Sequence, residues 1–213
     1  DGLNMTIQFL LDAHSMNISK ILKQMSSIVS GMHKDIVNAM KTRDSEIDLL
    51  VRGRDDEVNR QYFLIVRLIR TAMMDRRLAS SLDLSNIDIL DYRIAANHLE
   101  NAGDFISRLS SQLSGFFDKI KYEKIIEANY LILEMQEKSI SGFITKDTEK
   151  SSHVVTLFNK FDAISTFIKN DYIKLEGNYQ SALKIINIIY TMDDIARCWV
   201  DITDLIKPVY SIR

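Results

Sequence analysis

The chain has 213 residues, 46% of them hydrophobic and 26% charged, with a formal net charge of −2. That balance excludes a disordered chain, and the length suffices to bury a sizeable core in one large domain or two small ones. The charge supplies no general pull toward nucleic acid or an anionic membrane, one cysteine excludes an internal disulfide framework, and every apolar run falls short of the roughly 18 residues of a membrane span.

A single proline and seven glycines leave little turn chemistry for a many-stranded protein. The expectation is an all-α protein in the cytoplasm. The chain opens Asp1-Gly2-Leu3-Asn4-Met5, without an initiator methionine or a signal segment, and reads as a trimmed piece of something longer.

Six long helices follow in chain order. Ile18, Ile21, Leu22, Met25, Ile28, Val29, Met32, Ile36, Val37 and Met40 recur at three and four, predicting a helix from about Thr6 to Thr42. Arg43-Asp44-Ser45 is the expected turn. A second helix runs from Glu46 to Arg76, with Val51, Val58, Tyr62, Ile65, Ile69 and Ala72 on one side. Leu84-Ser85-Asn86 supplies an N-cap for a third that reaches Leu113, and Gly115 punctuates. The fourth spans Asp118 to Thr145, with Ile126, Leu133 and Ile140 spaced by seven. After Lys146-Asp147-Thr148-Glu149 the fifth takes Ser151 to Ile173. Glu176-Gly177-Asn178 breaks it, and the sixth runs from Tyr179 to Lys207, where Pro208 ends it. Long helices joined by short loops predict two tandem three-helix bundles, residues 1–114 and 115–213.

The halves share a motif. Leu90-Asp91-Tyr92-Arg93, followed by Leu99-Glu100-Asn101-Ala102-Gly103-Asp104, has a weaker copy around Tyr190-Thr191-Met192-Asp193 and Arg197. Glu100 and Asp104, four apart, project from one helix face and repel unless a cation or donor intervenes. Asp55 lies between Val51 and Val58 on the core-facing stripe of the second helix, where an unpaired carboxylate is costly. Asn59 sits one turn on. The matching places in the second half are Phe158, Asp162, Asp193 and Arg197.

Arg54-Asp55-Asp56-Glu57-Val58-Asn59-Arg60-Gln61-Tyr62 resembles the second-helix signature of the PhoU proteins, regulators of phosphate uptake, and the Leu90–Asp104 stretch resembles their third-helix signature. The resemblance covers nearly the whole chain. It implies two three-helix bundles, each able to hold iron or zinc through paired acidic motifs. It also implies a non-enzymatic role, in contact with a phosphate transporter ATPase or a sensor kinase, and a homo-oligomer. Thr6-Ile7-Gln8-Phe9-Leu10-Leu11-Asp12 is similar to the junction in an archaeal branch, where an AbrB-like DNA-binding domain, absent here, precedes the helices. That branch implies the sensing half of a transcriptional regulator, with DNA contact through the missing domain.

Several residues depart from the family pattern. Asn59 stands for an Asp, Asn101 for an Arg and Phe105 for a His, while Phe158 and Arg197 occupy acid positions. Arg197 cannot deprotonate and would neutralise Asp193, so the second half is expected to be closed and metal-free. In the first half Asp55, Asn59, Glu100 and Asp104 form the candidate metal set, suited to a hard divalent cation such as magnesium or calcium ahead of iron or zinc. The plainer alternative has Glu100 and Asp104 solvated, or paired with Arg54, Arg60 or Arg93, with no ion bound.

Other residues take bland readings. Cys198 is a small core residue, and His98 an interhelical hydrogen-bonder. His14, His33 and His153 lie at the surface or its boundary. Arg67, Arg70, Arg76 and Arg77 form a solvated basic run, and Asp44, Glu46 and Asp48 the polar start of a helix. No phosphate loop, nucleophile motif or His-rich zinc pattern is present. The alternative function is a phosphatase-like or ferritin-like metalloenzyme using the acidic cluster, although the Glu-x-x-His motifs of a di-iron site are missing.

Overall fold

Four of the described helices begin where a side chain takes over an orphaned backbone amide. The computed structural model describes residues 17–44, 46–114, 123–173 and 179–206. The expected start at Thr6, the turn residue Ser45, Gly115, Asp118, the Glu176-Gly177-Asn178 break, Lys207 and Pro208 lie outside them. Helix α1 (Ile18–Thr42) starts at Asn17, whose carboxamide oxygen accepts from the Lys20 amide at 2.9 Å. It ends as Arg43 turns left-handed at φ 60°.

Helix α2 (Ile47–Met74) stops two residues short of the expected Arg76. Asp75 leaves the helical region at φ −123° and its carboxylate accepts from the Arg77 amide at 2.8 Å, opening a six-residue helix, α3 (Arg76–Ser81). The described residues thus hold seven helices instead of six, because one Asp serves as terminator and cap at once. Helix α4 (Asn86–Leu113) has a reciprocal capping box. The Asp88 amide donates to Ser85 Oγ and the Ser85 amide donates to the Asp88 carboxylate, both at 3.1 Å.

Helix α5 (Glu123–Thr145) ends with Lys146 at φ 55°, and the Asp147 carboxylate caps the next helix by accepting from the amides of Glu149 and Lys150. Helix α6 (Thr148–Ile173) therefore begins three residues before the expected Ser151. Helix α7 (Tyr179–Asp204) completes the chain order. Among the described residues there is no strand, and no helix is long and apolar enough to cross a membrane.

Helices α1, α2 and α4 pack on one another, as do α5, α6 and α7, giving two three-helix bundles. The bundles share a long seam in which α4 lies on α7 and α1 on α5, so the hydrophobic core is continuous from Ile18 to Ile206. Tyr92 of α4 meets Phe143 of α5 edge to face, with ring centroids 5.1 Å apart. The stripe expected on α5 is corrected by this seam. Ile126 and Leu133 are only half-buried, whereas Ile125, Asn129, Ile132, Gln136 and Ser139 are buried. Helix α5 is covered on two sides, and the polar side chains in its wide buried face mask the apolar period.

Candidate functional site

Helices α2 and α4 bring three of the expected acids together. Gly103 permits the close approach: a β-carbon there would sit 3.2 Å from Val58 Cγ1 and 3.5 Å from Asp55 Oδ1. Asp55 thus lies over bare helix backbone, beside the Glu100 and Asp104 carboxylates of α4. Burial, and then the charges of Asp104 and Asp56, raise the Asp55 carboxyl above its ordinary range, with the Ser107 hydroxyl pulling the other way. Burial, then Asp104 and Asp55, likewise raise Glu100, while Arg93 lowers it. Partial dehydration is the larger shared cause, and mutual repulsion adds to it.

The cluster is shallower than the stripe implies. Val51 and Val58 are fully buried, but Asp55, Asn59 and Glu100 are half-buried and Asp104 is exposed. The core boundary passes along this face of α2, so solvent reaches the carboxylates. Two of the three arginines considered as counter-ions are turned elsewhere. Arg54 pairs with Asp35 of α1 at 2.8 Å and Arg60 with Glu57 at 2.6 Å. Arg93 lies over the Tyr62 ring, and the Tyr62 hydroxyl donates to Asn97.

The donor atoms are carboxylate and carboxamide oxygens, the chemistry of a hard cation and not of a thiolate-seeking metal. Among the described residues, no three His, Cys, Asp or Glu groups are placed to hold a metal ion as they stand. A cation would have to draw these half-exposed carboxylates together.

The corresponding face of α6 and α7 is neutralised from within. Arg197 Nε donates to Asp193 Oδ2 at 2.7 Å, and the guanidinium lies 5.4 Å from the half-buried Phe158 ring. The hydrogen bond and charge of Asp193, with further help from Asp201 and Asp162, raise the Arg197 pKa. A fixed cation and an aromatic ring thus stand where the first bundle has acids, and this side does not fit a metal.

The seam between bundles carries polar contacts of its own. His33 is not a boundary residue: it is wholly buried, and its ring meets Asn129 of α5 at 2.7 Å. Asn129 Nδ2 donates to the Ile125 carbonyl, leaving Oδ1 as the acceptor, so His33 Nε2 carries the proton. Burial, opposed by the Asn129 hydrogen bond, lowers the His33 pKa to about 4. The correction has a simple cause. On α1, His33 follows the buried Met32 and precedes Ile36, within the stripe that α5 covers, and an imidazole with one satisfied N–H tolerates that place.

His98 faces Asp201 of α7 at 3.8 Å, an interhelical contact longer than the hydrogen bond expected of it, and His153 is exposed beside Glu134. His14 lies outside the described residues. Cys198 is buried, and burial pushes its thiol up to about 12. Asp48 does more than open a helix. Its Oδ1 accepts from Ser110 and Ser111 of α4 at 2.9 and 2.6 Å, tying α2 to α4. Burial alone would raise its pKa, but these hydroxyls and Arg52 together lower it.

Beside this seam, α1 and α5 bound an open groove of about 800 Å³ lined by Ser26, Ser30, Lys34, Gln136 and Ile140. Gln136 Nε2 donates to the Ser26 carbonyl at 2.8 Å, and its oxygen is buried without a partner among the described residues. No sequence signal marked Asn129 or Gln136. Each is a polar residue inside a mostly apolar buried face, and its partner is about a hundred positions away.

Fold and site define an all-α, two-bundle protein with one acidic and one self-neutralised face. Residues 22–113 match the family model of the PhoU domain. The fold is similar to the crystal structure of PhoU from Pseudomonas aeruginosa, with a TM-score of 0.77 and 18% identity, over 89% of this chain and 93% of that one. It is also similar to the phosphate transport system regulatory protein PhoU from Streptococcus pneumoniae, with a TM-score of 0.74 and 16% identity, over 93% and 95% of the two chains. No curated protein matches the chain in sequence. The PhoU resemblance therefore holds: residues 22–113 are similar to the PhoU domain, and the two bundles have the fold of those PhoU structures. The sequence match ends at the last residue of α4, ahead of the bundle in which Phe158 and Arg197 replace acids.

Proposed function

We propose that this protein regulates phosphate uptake as a non-catalytic interaction module, by contact with a phosphate transporter ATPase or a sensor kinase. The observation that carries this reading is the match to the PhoU domain at residues 22–113 together with PhoU-like packing of both bundles. Direct contact in the cytoplasm, by a homo-oligomer, is the favoured arrangement. A transcriptional output would need a DNA-binding segment in the full reading frame. The test is phosphate uptake in cells lacking the gene: uptake should stay high when external phosphate is plentiful, and unaltered control would refute the reading.

The acidic face belongs to the same proposal as a site for one hard divalent cation, held by Asp55, Glu100 and Asp104 with Asn59 as a neutral ligand. Two carboxyl groups that stay raised, Glu100 despite the nearby charge of Arg93, support it. Calorimetric titration with magnesium, calcium, iron(II) and zinc should show at most one class of site, lost in Glu100→Ala. Arg197→Asp should add cation affinity on the α6–α7 side. Equal binding by both bundles of the unmodified protein, or turnover in phosphatase or ferroxidase assays, would overturn this part and favour the enzymatic alternative.

A further inference from the structure

Helix α2 presents Phe63, Arg67, Arg70 and Met74 to solvent at spacings of four, three and four, which places them on one narrow stripe. That stripe lies opposite Ile65, Ile69 and Ala72, which face the core. Phe63 is 56% exposed and Met74 91% exposed. The stripe ends at the break made by Asp75, where Met73, Arg76 and Arg77 are also exposed. Among the described residues none of the four guanidiniums pairs with a carboxylate, in contrast to Arg52, Arg54, Arg60 and Arg197. The Asp75 carboxylate is committed to the α3 cap.

We propose that this stripe and the α2–α3 corner dock the protein on an anionic lipid surface. Charge complementarity selects the occupant. Four unpaired guanidinium forks suit phosphodiester oxygens, which they grip in pairs. Phe63, Met73 and Met74 stand among them, and such apolar chains gain by entering the boundary between headgroup and acyl chain. A nucleic-acid backbone would satisfy the arginines but leave these apolar side chains in water. The feature is an outward corner and not a groove, which fits a surface better than a partner's helix. The whole chain carries a net charge of −2, so attraction must come from a local basic patch such as this corner and not from net charge. The inference stands apart from phosphate regulation and from the acidic face.

Co-sedimentation with vesicles tests it, using pure phosphatidylcholine against phosphatidylcholine containing about one third phosphatidylglycerol. The protein should partition at least tenfold more strongly, roughly, to the anionic vesicles, and added salt should weaken binding. Arg67→Glu with Arg70→Glu should remove at least about nine-tenths of the binding, whereas Lys23→Glu with Lys34→Glu, the same charge change on α1, should leave most of it. Met73→Ser with Met74→Ser should weaken binding roughly threefold with the arginines intact. All six positions are exposed, and unchanged circular dichroism confirms folding. Absence of sedimentation, equal binding to both vesicles, equal loss in the lysine variant, or preference for duplex DNA would each overturn the proposal.

Discussion

His33 illustrates how one side chain couples burial to pH. Its folded pKa of about 4 lies below the ordinary 6.5, so between these values the unfolded chain takes up a proton that the folded protein refuses. The stabilisation is complete above pH 6.5 and is lost as pH falls toward 4, by at most about 1.4 kcal/mol per pH unit. The raised carboxyls of Asp55 and Glu100 act with the opposite sign, favouring the folded state as they protonate. Urea titrations of the wild type and His33→Gln separate the two: the variant should lose less stability between pH 6.5 and 5, and identical slopes would refute the buried neutral imidazole. The double change Asp55→Asn with Glu100→Gln, in metal-free buffer at neutral pH, should stabilise by up to about 1 kcal/mol, a figure kept small by solvent screening. Strong destabilisation would mean that these acids make structural hydrogen bonds. The apolar stripe of α1 was legible residue by residue. The burial of His33 was not, because a histidine pattern carries no record of the helix that covers it.

At the scale of helices, glycine has opposite meanings on α2 and α5. Gly53 is exposed in mid-helix, with nothing within 4 Å of where a β-carbon would stand. Gly53→Ala should therefore stabilise by about 0.5–1 kcal/mol, through helix propensity and a less flexible unfolded chain. Gly142 closes the α5–α6 corner. A β-carbon there would meet Lys150 Cβ at 3.1 Å, Ile206 Cδ1 at 3.2 Å and the Asp147 carbonyl at 3.3 Å. Because a backbone oxygen cannot swing away, Gly142→Ala should cost about 1–2 kcal/mol despite the better propensity. Thermal melts of the two variants check the pair, and a shift of the same sign in both would show the corner to be looser than this geometry. Caps decided the element boundaries. The Ser85 cap was readable from local sequence, whereas Asp75 caps because it leaves helical geometry itself and Asp147 because Lys146 before it turns left-handed.

Over the whole molecule, the seam makes the two bundles one folding unit. The core continues across α4–α7 and α1–α5, the His33–Asn129 and Gln136–Ser26 hydrogen bonds bridge it, and Lys146, just past the end of α5, reaches the Asp88 carboxylate at 3.1 Å. Unfolding should be a single transition, with Trp199 fluorescence and far-UV circular dichroism superimposing in denaturant. Trp199 is fully buried in α7, so an early fluorescence change would show its bundle melting alone.

Helical class, helix number to within one short turn, the repeat, the acids of the first bundle and the Arg197 neutralisation in the second could all be read from the chain by itself. They depend on local periodicity and on pairs four residues apart, which a helix places together whatever surrounds it. Tertiary structure alone decided how deep the acidic cluster lies, which arginines are diverted from it, and that His33, Asn129 and Gln136 meet their partners inside a seam. Those outcomes depend on which helix faces cover one another, and contacts between residues about a hundred positions apart leave no period in the sequence.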